Sequence, residues 1–218
     1  MVTRPVVIVS LVLLGASMIL AGWVLEDQGY ISAVLLELGA TVLLIAPVVY
    51  VERLVGAVRD ELEALRVLAE PIARPYEELR DEVASGWERT AVMEKHIAAA
   101  RSQASGGGHT RNEVAELFFS GSPGERIFAL GLMQGRHSLA HVDAILDAVT
   151  DSRSAFEQYH ALLLVLRMWD SLDNGSQRRL LAAIDAQSAP GKHIRPGSDR
   201  HELVRQIRRR ARTSPKSE

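Results

Sequence analysis

Three groups of residues in this sequence have types and spacings that could do chemistry. Glu37 is a single carboxylate in the otherwise apolar stretch ISAVLLELGATVLLIAPVVY, Ile31 to Tyr50. An acid so placed serves a proton path, a water-filled path or a hydrogen-bonded joint between helices. His137 and His141 are four residues apart, the spacing at which a helix presents two imidazoles to zinc. Glu157-Gln158-Tyr159-His160 is an E-x-x-H, a pattern that supplies iron ligands in four-helix bundles.

Their surroundings weigh against metal and catalysis. The chain has no cysteine, which excludes disulfides, thiolate metal sites and Cys nucleophiles. The histidine pair lacks a third ligand nearby, and Ser138 is the expected N-cap, leaving His137 outside the helix. The E-x-x-H lacks the second copy that a di-iron site needs; Phe128 stands 32 residues before His160. Glu157 then reads as a cap residue, and His160 as a hydrogen-bonded residue on a half-buried face. Gly106-Gly107-Gly108 lacks the Lys-Ser/Thr ending of a P-loop, and no serine lies in G-x-S-x-G. The expectation is a protein with no cofactor or metal site and no enzymatic activity.

The elements that must carry these residues are helices throughout, so the predicted fold class is all-α. Residues 1–51 are expected to form a transmembrane hairpin with spans at 5–25 and 31–51. Each span has 21 residues, about 30 Å at about 1.5 Å per residue, the thickness of a bilayer's hydrocarbon core. Five residues, Glu26 to Tyr30, join them, and Trp23, Tyr30 and Tyr50 lie where aromatic rings meet the interface. Arg4 precedes the first span and Arg53, Arg59 and Arg66 follow the second, while the connection has no Lys or Arg. That distribution predicts a two-span plasma-membrane protein with both termini cytoplasmic.

Residues 52–100 carry a heptad stripe. Val51, Val55, Val58, Leu62, Leu65, Ala69, Ile72, Tyr76, Leu79 and Val83 recur at spacings of four and three, and the register extends to Met93 and Ile97. Pro71 and Pro75 interrupt it, which predicts two helices meeting near Glu70. The stripe either pairs with a second copy or folds back on the soluble domain. Residues 101–110, with three glycines and two serines, read as a flexible linker.

Residues 111–190 contain an internal repeat. Ser122-Pro123-Gly124-Glu125 and Ser154-Ala155-Phe156-Glu157 are capping boxes 32 residues apart, each followed by a second apolar helix, Val142–Val149 and Arg178–Ile184. The second helices align at an offset of 35, which places an insertion near Leu172–Gly175. A helix pair repeated in this way, over about Asn112 to Ala189, resembles HEAT-like helical repeats. That resemblance implies a short α-solenoid that binds other proteins, in some cases nucleic acid, and no catalysis. A plain helix bundle is the other reading of the same pattern.

The total charge of −2 conceals a basic end: residues 191–218 carry nine Lys and Arg against three Asp and Glu, a net +6. Arg205, Arg208, Arg209, Arg210 and Arg212 surround Leu203, Val204, Ile207 and Ala211 on an amphipathic helix. Near a membrane these are candidates for anionic-lipid contact; the other reading is a solvated end that closes the helical array. No aromatic residue lies among them to stack bases, which argues against nucleic acid. Glu37, about 9 Å below the outer edge of its span, shares a face with Ala33, Ala40 and Thr41, and Ser17 of the other span is within reach. This makes Glu37, Ser17, Ala33 and Ala40 the expected helix–helix contact, within one hairpin or between copies. The functional expectation is a membrane-anchored scaffold whose cytoplasmic helical domain binds a protein partner. The alternative is an effector whose hairpins oligomerise into a pore or leak on a signal.

Overall fold

A computed structural model describes residues 4–25, 27 and 29–213, and among these every regular element is helical. Glu26 and Gln28 of the expected connection, the side chains of Arg4, Arg53 and Val58, and residues 214–218 lie outside the described residues. The chain divides into two compact units, Met1–Glu61 and Leu62–Glu218.

The first unit holds helix α1, Arg4–Val24, and the beginning of α2, Tyr30–Glu82. Within α2 the 23 residues Tyr30–Glu52 are long and apolar enough to cross a membrane; Val9–Val24 of α1 is a shorter apolar stretch. The helices run antiparallel and touch through small residues. A Cβ placed on Gly39 would lie 2.7 Å from Ile19 Cγ1 and 2.8 Å from the Gly15 carbonyl oxygen, and one on Gly22 would meet Leu36 and the Ser32 carbonyl. Ser32, buried in this seam, donates its hydroxyl to the Gly22 carbonyl at 2.7 Å. Absence of side chains at the crossing allows the backbones to approach closely.

The second unit begins within α2. Leu65, Ala69, Ile72 and Tyr76 of the heptad stripe are buried in its core with Met93 and Ile97, so this part of the stripe folds onto its own chain. Val51, Val55 and Val83 are exposed. The expected break near Glu70 does not occur, because α2 runs unbroken through Pro71 and Pro75 to Glu82. Each proline costs a helix interior about 3 kcal/mol. Burying large apolar side chains such as Leu65, Ile72 and Tyr76 returns about 1.5–3 kcal/mol apiece, enough to offset it.

Beyond α2 come α3 (Trp87–Gln103), α4 (Arg111–Ser120), α5 (Pro123–Gly135), α6 (Val142–Thr150), α7 (Ala155–Met168), α8 (Asn174–Gln187) and α9 (Asp199–Thr213). Helices α3, α5, α7 and α9 are neighbours in one row; α4, α6 and α8 form a second. This two-row order is compatible with a helical repeat. The two capping serines start equivalent helices: Ser122 Oγ accepts from the Glu125 amide at the head of α5, and Ser154 Oγ from the Glu157 amide at the head of α7. The expected flexible linker is instead tied down. Ala104 is fully buried, and the Arg136 guanidinium donates to the carbonyls of Gly107 (3.0 Å) and His109 (2.7 Å).

At the head of α5 the backbone lies directly on α2: the Gly124 amide donates to Glu77 Oε1 at 2.8 Å, and a Cβ there would stand 2.3 Å from the Ala73 carbonyl oxygen. Backbone cannot yield as a flexible side chain can. Gly124→Ala should therefore destabilise the fold by about 1–3 kcal/mol, whereas Gly86→Ala, at a position with open space, should leave it nearly unchanged. Urea unfolding followed by circular dichroism checks both.

Candidate functional site

The residues of the E-x-x-H part company on α7. Glu157, only 1% exposed in its side chain, turns its carboxylate inward to Arg126, which is 4% exposed. Its Oε1 accepts from Arg126 Nε at 2.9 Å and from Nη2, and its Oε2 accepts from the Arg153 amide at 3.1 Å. Arg126 also reaches Asp147 at 2.8 Å and lies 3.8 Å over the Phe118 ring. A guanidinium spreads its donors in a planar fork, so one side chain can meet two carboxylates and an aromatic face. Glu157 is thus a cap through its backbone and a counter-ion through its side chain.

His160, fully buried one turn later, belongs to a different network. Arg101 donates to Gln134 Oε1 at 3.0 Å, which fixes that amide so that Gln134 Nε2 points at His160 Nδ1, 3.2 Å away. Nδ1 accepts, the proton sits on Nε2, and Nε2 donates to Glu94 Oε1 at 3.1 Å. The result is a continuous polar chain from Arg101 through Gln134 and His160 to Glu94, connecting α3, α5 and α7.

Glu94 opens onto the surface. It lines a cleft of about 490 Å³ with Arg80, Arg89, Met93, Phe156 and Tyr159. A second hollow, about 520 Å³, shares Ser154, Ala155 and Arg200 with the first and is bordered by Arg153, Lys192 and Arg195. Neither hollow was legible in the sequence, because their walls come from the end of α2, the starts of α3 and α7, and the loop before α9. No group of three or more His, Asp or Glu placed to hold a metal occurs among the described residues. His137 lies in a short 3₁₀ turn, His137–Leu139, and His141 rather than Ser138 is the N-cap of α6.

The expected membrane contact is differently made. Ser17 donates its hydroxyl to the Leu14 carbonyl on its own helix at 2.8 Å, and Glu37, Ala33 and Ala40 are all exposed. The bond between Glu37 and Ser17 within one hairpin is therefore replaced by the Ser32–Gly22 bond in a glycine-lined seam. Closest approach at the glycines turns the Glu37 face outward.

The arginines of α9 are largely matched by acids. Arg208 pairs with Asp185 at 2.6 Å, Arg210 with Asp170, and Arg205 and Arg209 both reach Glu202, at 2.8 and 3.5 Å. Arg212 is exposed and borders a surface hollow with Arg205, Arg208 and Arg209. The pairs of Arg208 and Arg210 hold α9 to α8 and to the turn Trp169–Ser171, so part of the tail's charge closes the helical array. A Thr110–Glu113 capping box at the head of α4 carries the same T/S-x-x-E signature as the other two, and sequence reasoning missed it.

Compared with protein-family models, curated proteins and solved structures, the chain matches none.

The hydrogen bond from His160 holds the Glu94 carboxyl below the ordinary glutamate value. A lowered folded-state value means that Glu94 contributes stability fully above the unfolded-state value and loses it as pH falls through the folded one. Thermal melts between pH 7 and pH 3 should show this loss, with Glu94→Gln flattening the acid limb. An unchanged limb would show that the bond does not survive in solution.

Proposed function

We propose that this is a membrane-anchored interaction protein. The pair α1 and Tyr30–Glu52 of α2 forms a two-span hairpin in the plasma membrane with both termini cytoplasmic. The unit from Leu62 onward is a HEAT-like helical-repeat domain that binds a protein partner and localises it at the membrane. The observation that carries this reading is that one helix, α2, supplies both the 23-residue apolar stretch and the stripe buried in the helical array. An anchor and a domain sharing a helix suit tethering, and the repeated helix pairs offer the extended surface on which such arrays bind proteins.

The lack of native cysteine makes topology directly testable. In intact cells a membrane-impermeant maleimide should label Asp27→Cys and spare Ser102→Cys until the membrane is opened. Labelling of the second, or failure of the first, overturns the two-span arrangement. Cross-linking of the full chain in its own membranes, followed by purification, then tests the scaffold. Recovery of nothing above background counts against it.

The outward Glu37 face supports a second reading, assembly of hairpins into a pore or leak. A carboxylate facing lipid costs up to about 2.5–3.5 kcal/mol, a penalty reduced when it is protonated and hydrogen-bonds to a second copy. Ala33, Ala40 and Thr41 on that face are small enough for close approach. On this reading, high expression depolarises the membrane, Glu37→Leu abolishes the effect and Glu37→Gln keeps assembly. A voltage-sensitive dye distinguishes the outcomes, and absence of depolarisation at any expression level removes the pore.

A further inference from the structure

The double cleft has an uneven charge. Arg205, Arg208, Arg209 and Arg210 of α9 are matched with carboxylates, but none of Arg80, Arg89, Arg153, Lys192, Arg195 and Arg200 is in an ion pair among the described residues. Those with side-chain bonds donate to neutral oxygens. Arg80 reaches the Arg153 carbonyl at 2.9 Å, Arg89 the Val83 carbonyl at 2.9 Å, Arg153 the Gly121 carbonyl at 2.8 Å, and Arg200 the amide oxygen of buried Gln158 at 2.6 Å. These bonds orient the cations without neutralising them. Burial first, and the charge of Arg195 second, hold the Arg200 guanidinium below the ordinary arginine value.

The two lobes differ in kind. The first has Met93, Phe156 and Tyr159 on its wall, and its two acids, Glu94 and Asp199, offset part of its positive charge. The second is lined by Arg153, Lys192, His193, Arg195 and Arg200, with the hydroxyls of Ser152 and Ser154 and no carboxylate. Its outer wall is a built loop. Ile194 is buried and its amide bonds the Gln187 carbonyl at 3.1 Å, pegging the segment between Lys192 and Arg195. Gly191 and Gly197 make the bends at either end with φ of 78° and 80°, a region that side chains disfavour.

We propose that this double cleft binds a small organic phosphate. The anionic group is held in the second lobe by Arg153, Lys192, Arg195 and Arg200, and the apolar body lies in the first against Met93, Phe156 and Tyr159. Guanidinium groups match phosphate oxygens in geometry and charge. Each lobe has a volume in the range of small-molecule sites, about 300–1,000 Å³. The site is independent of which protein the helical array binds, so loss of one reading leaves the other standing.

The test uses the full chain in phosphatidylcholine nanodiscs, titrated calorimetrically with 1-naphthyl phosphate, inorganic phosphate, 1-naphthol and tetraglutamate. Naphthyl phosphate should bind more tightly than inorganic phosphate, with naphthol and tetraglutamate weaker than either. The double variant Lys192→Gln with Arg195→Gln should weaken naphthyl phosphate about tenfold or more, the loss expected for charge-assisted bonds, with the melting temperature of the unliganded protein unchanged. Tyr159→Ala should weaken naphthyl phosphate and leave inorganic phosphate unaffected. In discs that contain phosphatidic acid, retained binding assigns the site to dissolved phosphates, and occlusion assigns it to a lipid headgroup phosphate. The proposal is overturned if no phosphate binds at about 1 mM, if the double variant binds as well as the parent, or if tetraglutamate equals naphthyl phosphate.

Discussion

The second unit depends on one buried guanidinium. Arg126 projects from α5 and meets Phe118 of α4, Asp147 of α6 and Glu157 of α7, so four consecutive helices share one side chain. Removing a charge from water costs several kcal/mol, recovered only where geometry satisfies its donors. The cost therefore falls on any arrangement in which one of the four helices is displaced. Apolar burial holds the rows together with little regard to angle; the guanidinium discriminates among the ways they could be stacked.

Around that point the array is ordered by short local signals and by close backbone approach. The capping serines start α5 and α7 at matching places in one row, and α3 comes near α5 where Gly131 and Gly135 meet Ala100 and the Arg101 carbonyl. Small residues do the same work in the hairpin, where Gly15, Gly22 and Gly39 bring α1 and α2 together. In both units the sites of nearest approach lack side chains, and the polar groups left over are directed elsewhere. Glu37 faces outward in the first unit, and the unpaired cations face the cleft in the second.

What could be read in advance divides along the reach of each interaction. The helical class, the caps at Ser122 and Ser154 and the apolar stretch after Tyr30 are visible because the deciding residues lie within a few positions of each other. The inward turn of Glu157 was not, since Arg126 is 31 residues away and the same carboxylate satisfies a capping pattern. Pro71 and Pro75 looked like a break because the core that outweighs them comes from α3, α5 and α7. The arginines of the basic tail read as candidates for lipid contact because Asp170 and Asp185, their partners, precede them by 23 to 40 residues. The cationic hollow drew no notice, as its charges come from segments that are unremarkable one at a time.

The prolines of α2 acquire a further meaning when the order of synthesis is considered. Leu65 to Tyr76 leave the ribosome well before α7 is complete. At about 5–20 residues per second the interval between Tyr76 and Met168 lasts roughly 5 to 18 s. During it the stripe has no core of its own, and nothing offsets the cost of about 3 kcal/mol that each proline imposes on a helix. That segment is then a poor helix and a poor template for a neighbouring nascent chain, while the apolar stretch before it has already emerged. Only as α3, α5 and α7 arrive does continuous helix become the favoured state. The prolines thus delay the stripe's pairing until the correct partner, its own chain, is within reach.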